Sequence, residues 1–270
     1  MPLKVGVVIP AKDEERFLPR TLRALKAQSR PPDFIIVVDD GSKDRTAEIA
    51  EKSGALVIRL PDRGFRATGL PLVAGVINAG LRVARDEGVD FVMILGADHV
   101  LSRDYIKRLL RLMLKDPRLA VCSGVIVGEP IYPDMPRGSG RLIRASWFEK
   151  IGFRYPVWWG YESWLIFKAL SMGMRVAVDP GAVSWVQRRT AWSPREMYEW
   201  GRGMRALGYH PVYALARCAL ALRRGPRALA YMLVGYLTPT EQYSDVRCFV
   251  RRYTASRLFG RFAHLLRLGA

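Results

Sequence analysis

Phe91-Val-Met-Ile-Leu-Gly-Ala-Asp98-His99-Val-Leu101 is the stretch on which the fold of this chain turns. Its first five residues are apolar without polar alternation, the pattern of a strand buried on both faces inside a parallel sheet. The run ends on Gly-Ala-Asp-His, which puts a carboxylate and an imidazole at the C-terminal end of that strand. Open α/β sheets hold their ligands at that edge. An Asp beside a His there suits a divalent cation and the phosphates it carries. Taken alone, the pair also reads as a loop whose Asp caps the next helix.

Working outward to the N-terminus, the same grammar repeats. Lys4–Pro10 is a β-branched run and hence a strand, and Arg16–Ser29 has helical spacing through Leu18, Leu22 and Leu25. Phe34–Val38 is a second strand, Asp44 stands as N-cap of a helix from Arg45 to Ser53, and Ala55–Leu60 is a third strand. A helix over Leu72–Glu87 leads into the opening stretch. Strand and helix alternate four times with short connections, which predicts a doubly wound α/β fold, mostly parallel and flanked by helices. Asp39-Asp40 follows the second strand as Asp98 follows the fourth, so two acidic groups fall at equivalent strand ends. Asp-Asp-Gly-Ser is also plain turn chemistry.

Val-Val-Ile-Pro-Ala-Lys-Asp-Glu-Glu, Ile-Ile-Val-Val-Asp-Asp-Gly-Ser-Lys-Asp-Arg-Thr, Asn78-Ala-Gly-Leu and Ile-Leu-Gly-Ala-Asp-His-Val-Leu stand here in an order and spacing that resemble the family 2 glycosyltransferases of GT-A fold. The resemblance covers about residues 3–210. No G-x-G-x-x-G is present, so a dinucleotide-binding reading lacks its key feature. The resemblance implies a nucleotide-diphosphate sugar donor held against the first half of the sheet. On the matching positions Pro10, Asp13 and Glu14 would line the nucleotide pocket, Asp39 and Asp40 would contact base and ribose, and Gly96, Ala97 and Asp98 would lie at the donor. Arg66 is placed to reach the diphosphate, with Arg63 as its competitor.

Downstream, Ser102-Arg-Asp-Tyr opens an amphipathic helix, Leu119–Val127 is a strand, and Glu129–Gly140 is a Pro/Gly-rich loop of the kind that closes over substrates or merely connects. Tyr155-Pro-Val-Trp158-Trp159-Gly-Tyr161-Glu162-Ser163-Trp164 gathers aromatics around one carboxylate at the start of an apolar helix. Trp158, Trp159 and Tyr161 suit the flat C–H faces of an acceptor sugar, or a Trp-rich core. The resemblance puts the family's general base at Glu162, since an attacking hydroxyl must lose its proton. Aromatic surroundings would raise that carboxylate's pKa.

Two positions depart from the family pattern. The family usually carries Asp-x-Asp at its metal site, and here the first position is Gly96. Asp98 with His99 is then the candidate ligand pair for Mg²⁺ or Mn²⁺. The family's late His, expected after a strand at Arg175–Val178, is missing from Val183-Ser-Trp-Val-Gln187-Arg188-Arg189. Gln187 is a weak substitute, whereas Arg188 or Arg189 would neutralise a leaving diphosphate without metal.

Composition adds a direction to the partners. The formal net charge is +18, and from Gly201 onward twelve Arg and no Lys face only Glu241 and Asp245. Helices over Val212–Leu222, Pro226–Leu237 and Cys248–Leu268 then present an apolar face beside a cationic one, the pattern of an anionic membrane surface or of a helical appendage packed on the catalytic domain or on a second copy of the chain, its arginines merely solvated. Uninterrupted apolar runs fall well short of the roughly 20 residues of a spanning helix. The N-terminus shows no signal-peptide pattern, and three widely spaced cysteines form no disulfide framework. A cytoplasmic protein, peripheral at the inner face of the membrane, is the expectation. One asparagine and three glutamines among many charges hint at a thermophilic source. A nucleic-acid partner has charge alone behind it and no motif.

The expected organisation is a GT-A domain over 1–210, nucleotide-binding to about 101 and acceptor-binding beyond, followed by a basic helical extension over 211–270. The expected activity is inverting transfer of a sugar from a nucleotide-diphosphate sugar to a glycan or lipid-linked acceptor. The alternative is a catalytically impaired relative that binds nucleotide sugar or glycan.

Overall fold

The computed structural model describes residues 3–67, 69–188 and 193–268, with side chains described to 258. Among the described residues eight strands form one sheet: β1 (Val5–Ala11), β2 (Phe34–Asp39), β3 (Leu56–Arg59), β4 (Phe91–Ile94), β5 (His99–Leu101), β6 (Leu119–Ile126), β7 (Arg141–Arg144) and β8 (Arg175–Val186). Their order is β3-β2-β1-β4-β7-β6-β8-β5. The first four in space are parallel, as the alternating pattern requires. β7 runs antiparallel to both β4 and β6, and β8 lies parallel to β6. Helices α1 (Leu18–Lys26), α2 (Thr46–Lys52), α3 (Leu72–Asp86) and α4 (Tyr105–Lys115) cover it. Val5, Val7 and Ile9 of β1 pack with Leu18, Leu22 and Leu25 of α1 and with Leu109 and Met113 of α4 in one core. Each such side chain contributes about 1.5–3 kcal/mol on burial.

The opening stretch makes two strands rather than one. β4 lies between β1 and β7 in the sheet interior, while β5 pairs antiparallel with β8 at the far edge. A turn closed by His99 N–H donating to Gly96 O (3.2 Å) separates them. Sequence places Asp98 and His99 after one strand; the structure also seats them at the start of another, against the end of β8.

β8 is longer than the expected strand at Arg175–Val178. The strand continues beyond Asp-Pro-Gly at 179–181, where β6 pairs with Val183 and Ser184 and β5 with Ser184–Val186. Irregular register along β6 absorbs the proline. Gly124 makes this possible: a Cβ there would lie 1.9 Å from Ala182 O. Asp44 is a further correction. The helix cap falls at Arg45, whose side chain makes no cap hydrogen bond, and Asp44 instead accepts from Thr46 N (2.9 Å) in a local turn.

The described residues fall into two compact units. One comprises those of Met1–Thr68, Leu72–Val157 and Met172–Arg189; the other, those of Gly69–Pro71, Trp158–Ser171 and Thr190–Ala270. The second is helical: α6 (Tyr161–Ser171), α7 (Pro194–Leu207), α8 (Pro211–Leu220), α9 (Pro226–Leu237) and α10 (Arg247–Leu268), while the short α5 (Ala145–Phe148) belongs to the first. α7 begins as expected, with Ser193 Oγ accepting from Glu196 N (3.1 Å) and Pro194 in its first turn. α7 and α9 touch backbone to backbone through two glycines. A Cβ on Gly201 would lie 2.1 Å from Met232 O, and one on Gly235 2.0 Å from Tyr198 O. Among the described residues no helix is long and apolar enough to cross a membrane.

Candidate functional site

At the C-terminal ends of β1 and β2 the chain ties two acidic loops together. The loop after β1 passes Pro10 and turns through Asp13 in a left-handed conformation (φ +52°), which Asp tolerates better than most residues. Asp13 N donates to Ser42 Oγ (2.9 Å), Asp13 Oδ1 accepts from Lys43 N (2.8 Å), and Glu14 N donates to Thr46 Oγ1 (2.7 Å). Asp39 and Asp40 are both buried. Asp39 Oδ1 holds the turn, accepting from Ser42 N (3.1 Å) and Ser42 Oγ, so the turn role read from Asp-Asp-Gly-Ser is realised at this oxygen.

Two arginines from the loop after β3 meet these acids. Arg63 pairs with Asp40. Arg66 donates to Lys12 O, to Asp13 O (2.8 Å) and to Glu14 Oε1 (3.3 Å). Both arginines are therefore at the site, on different carboxylates. Lys12 was not foreseen. Its Nζ donates to Asp40 O (2.9 Å), Gly41 O (3.0 Å) and Asp62 Oδ1 (2.6 Å), stitching three loops. Lys12 beside Asp62 holds that carboxyl down at about 2. The sequence signal was a lysine sitting between a strand end and Asp-Glu-Glu.

The end of β8 brings the distant half of the chain to Asp98. Gln187 N donates to Asp98 O (2.9 Å), and Gln187 Nε2 reaches Phe17 O (3.0 Å) and Thr21 Oγ1 (3.1 Å). Gln187 is thus a clamp on the strand end. Beside it Arg188 spans two acids, with Nε 2.6 Å from Asp98 Oδ2 and a terminal nitrogen on Glu14 Oε2. Its guanidinium lies 4.7 Å from the Phe17 ring centroid, a cation–π contact that fixes its orientation. Arg189 lies outside the described residues.

The donor set does not suit a divalent ion at Asp98. Among the described residues no group of three His, Cys, Asp or Glu side chains could hold one. Arg188 already places a positive charge on both Asp98 and Glu14. Gly96, where the family carries its other Asp, is tight: a Cβ would meet His99 Cδ2 at 3.1 Å, Asp98 Oδ1 at 3.2 Å and Ser139 Oγ at 3.3 Å. His99 is buried, and burial lowers its pKa despite nearby Asp98, favouring the neutral ring. Nε2 is the nitrogen near Asp98, 3.9 Å away, while the buried Nδ1, without a hydrogen-bond partner among the described residues, is on the other side of the ring. The expected Asp98–His99 ligand pair is therefore not assembled.

In the second unit Glu162 sits in the first turn of α6 and is exposed. This corrects the expectation of a carboxylate enclosed by rings. The aromatics around it are committed elsewhere: Trp164 is buried and donates to Asp245 (3.2 Å), and Trp158 Nε1 donates to Glu241 O (3.0 Å). Trp159 lies 4.6 Å from Arg202 in a cation–π contact. Tyr161 is half-buried beside them.

Comparison with known proteins accords with this architecture. The family model described as Glycosyl transferase family 2 matches residues 6–181. The probable glycosyltransferase YdaM of Bacillus subtilis is 24% identical over 242 residues, 74% of this chain and 55% of that protein. The mannosyltransferase PcManGT of Pyrobaculum calidifontis, solved with GDP-Man and Mn²⁺, superimposes with a TM-score of 0.62 at 18% identity, covering 98% of this chain and 79% of that one. TarS of S. aureus, solved with UDP, gives a TM-score of 0.57 at 19% identity over 86% and 71% of the two chains. The matched segments span 30%, 14% and 15% of the first curated relatives.

Proposed function

The chain belongs to glycosyl transferase family 2, and from that premise we propose that it moves a sugar from a nucleotide-diphosphate donor to a glycan or lipid-linked acceptor with inversion. The observation that carries this reading is the convergence of Asp13, Glu14, Asp39, Asp40, Arg66, Asp98 and Arg188 at the C-terminal ends of β1, β2 and β4 and at the end of β8. Buried carboxylates there accept hydrogen bonds from base and ribose hydroxyls. The arginines offer the planar, multiply donating charge that matches phosphate oxygens.

In the reaction the acceptor oxygen attacks the anomeric carbon while the bond from that carbon to the β-phosphate oxygen breaks. The acceptor proton passes to Glu162, and the electron pair leaves with the nucleoside diphosphate. Back-side attack in one step inverts the anomeric centre. Glu162 is proposed on its match to the family position at the start of α6, where the residue is exposed.

A membrane-associated acceptor draws support from the second unit. Between Pro211 and Thr240 there are four arginines and no acidic residue. Val212, Leu215, Leu222, Tyr231, Val234 and Leu237 are exposed on α8, the turn after it and α9. Exposed aliphatic and tyrosyl side chains flanked only by positive charge suit an anionic bilayer surface.

The test of the base is Glu162→Gln, with turnover and nucleotide binding measured on the same preparation. Loss of at least about a hundredfold in turnover with unchanged nucleotide affinity is expected of a general base. Full turnover in that variant would remove Glu162 from the role.

A further inference from the structure

We propose that Arg188 is the built-in cation of the donor site, standing in for a divalent ion and contacting the diphosphate directly, so that nucleotide binding does not require metal. This rests on the donor reading above and deepens it. Arg188 is held in place rather than loosely draped. Its neighbour Gln187 is clamped by three hydrogen bonds to Asp98 O, Phe17 O and Thr21 Oγ1, and its own guanidinium packs on Phe17. β5, paired antiparallel with β8 through His99 and Val186, sets Gln187 against Asp98, so that Arg188 follows directly and its side chain reaches the Asp98 carboxylate.

Charge makes the alternatives unequal. Glu14 and Asp98 are two carboxylates that a diphosphate must approach, and anions repel unless cations intervene. Arg188 bridges both through Nε–H and one N–H of a terminal nitrogen, and only together with Arg66 on Glu14 do the cations balance the two carboxylates. A guanidinium carries five N–H donors, so a phosphate can be bound by the remaining ones without breaking those contacts. A dication at Asp98 would instead have to displace Arg188 or share a carboxylate with it against like-charge repulsion. A second carboxylate to attract such an ion is absent at Gly96, where even a Cβ crowds His99, Asp98 and Ser139. Arg66, already on Glu14, supplies a second positive charge on the same wall.

The experiment is calorimetric titration of the full chain with UDP and with GDP, each in excess EDTA and again in excess Mn²⁺, for the unaltered protein, Arg188→Ala and Arg188→Lys. Binding in EDTA within about twofold of that in Mn²⁺ is expected for the unaltered protein. Arg188→Ala is expected to weaken it at least about tenfold in EDTA, the scale of one charge-assisted contact. Arg188→Lys should fall between, since a point charge replaces a fork. Nucleotide binding by the unaltered protein that appears only with Mn²⁺ would overturn the role of Arg188 while leaving the donor reading intact. So would EDTA binding undiminished in Arg188→Ala. Failure of both nucleotides to bind under either condition would remove the donor reading and this inference together. The comparison in the unaltered protein tests metal independence even if Arg188→Ala does not fold, and Arg188→Lys, which keeps the charge, then tests the assignment to Arg188.

Discussion

Arg188 Nε lies 2.6 Å from Asp98 Oδ2 across 90 residues of chain, and the same guanidinium reaches Glu14. Three segments, the loop after β1, the turn after β4 and the end of β8, thereby share one cation. If these groups act as a unit, their substitutions will not add. Nucleotide affinity in Asp98→Asn should fall several-fold, and Asp98→Asn combined with Arg188→Ala should be no weaker than Arg188→Ala alone. Additive losses, measured by calorimetry, would mean that Asp98 and Arg188 act separately.

Gly96→Asp restores the family's pair of acids in sequence but not in space. The new side chain would meet His99, Asp98 and Ser139 at 3.1–3.3 Å before its carboxylate is placed. Overpacking of this kind costs about 1–3 kcal/mol. The expected outcome is a lowered thermal midpoint with no gain in Mn²⁺ affinity, checked by calorimetric titration with Mn²⁺ alone. Micromolar Mn²⁺ binding by the variant would count against the account of this position.

Tyr105 holds the sheet behind the site. Buried beneath β6, its hydroxyl accepts from Gly124 N (2.8 Å) and donates to Gly140 O (3.0 Å). Tyr105→Phe strands both backbone groups, a loss of about 1–3 kcal/mol in unfolding free energy. Urea denaturation measures it, and a variant as stable as the parent would show that these groups find other partners.

The bend in β8 carries its own pH dependence. Burial alone would raise the Asp179 pKa, but bonds from Arg108 and from Gly181 N outweigh it and hold the carboxyl below its ordinary value. A group with a lowered folded-state pKa stabilises fully above its unfolded value, about 4, and that contribution fades as pH falls through the folded value. Thermal midpoints should therefore decline more between about pH 5 and pH 2 in the unaltered protein than in Asp179→Asn. Parallel curves would contradict the assignment.

Vesicle co-sedimentation tests the arginine-rich helices. Binding to phosphatidylglycerol-containing vesicles is expected, weakened by salt and reduced on the order of tenfold in Arg223→Ala/Arg224→Ala, given about 1 kcal/mol for each basic residue near an anionic surface. Equal binding to neutral and anionic vesicles, or none to either, would count against a membrane-facing role.

Much of the fold was legible because its signals are local. The apolar runs at Val5–Ile9, Ile35–Val38 and Phe91–Leu95 read as buried strands because they are short and bounded by turn residues, and those turn residues mark the ligand edge. Asp98 stood out for that reason. The pairing of His99–Leu101 with β8 was not legible, since strand partners set by tertiary contact leave no periodicity in either strand. Arg188 could be named a candidate from charge logic, but its placement between Asp98 and Glu14 depends on that hidden pairing. Lys12 went unnoticed because a loop lysine usually points to water. Around Glu162 the sequence left an acceptor platform and a Trp-rich core open, and the contacts of Trp164 with Asp245 and of Trp159 with Arg202 depend on partners distant in sequence.

The most direct measurement is nucleoside diphosphate release from a panel of UDP-, GDP- and dTDP-sugars, with glycan and polyprenyl-phosphate acceptors present. The account predicts that one donor is turned over into a glycosylated product, and that Glu162→Gln loses that turnover while Asp98→Ala weakens it. Saturable binding of a donor with no turnover against any of these acceptors would contradict it, and would leave a protein that holds nucleotide sugars without transferring them.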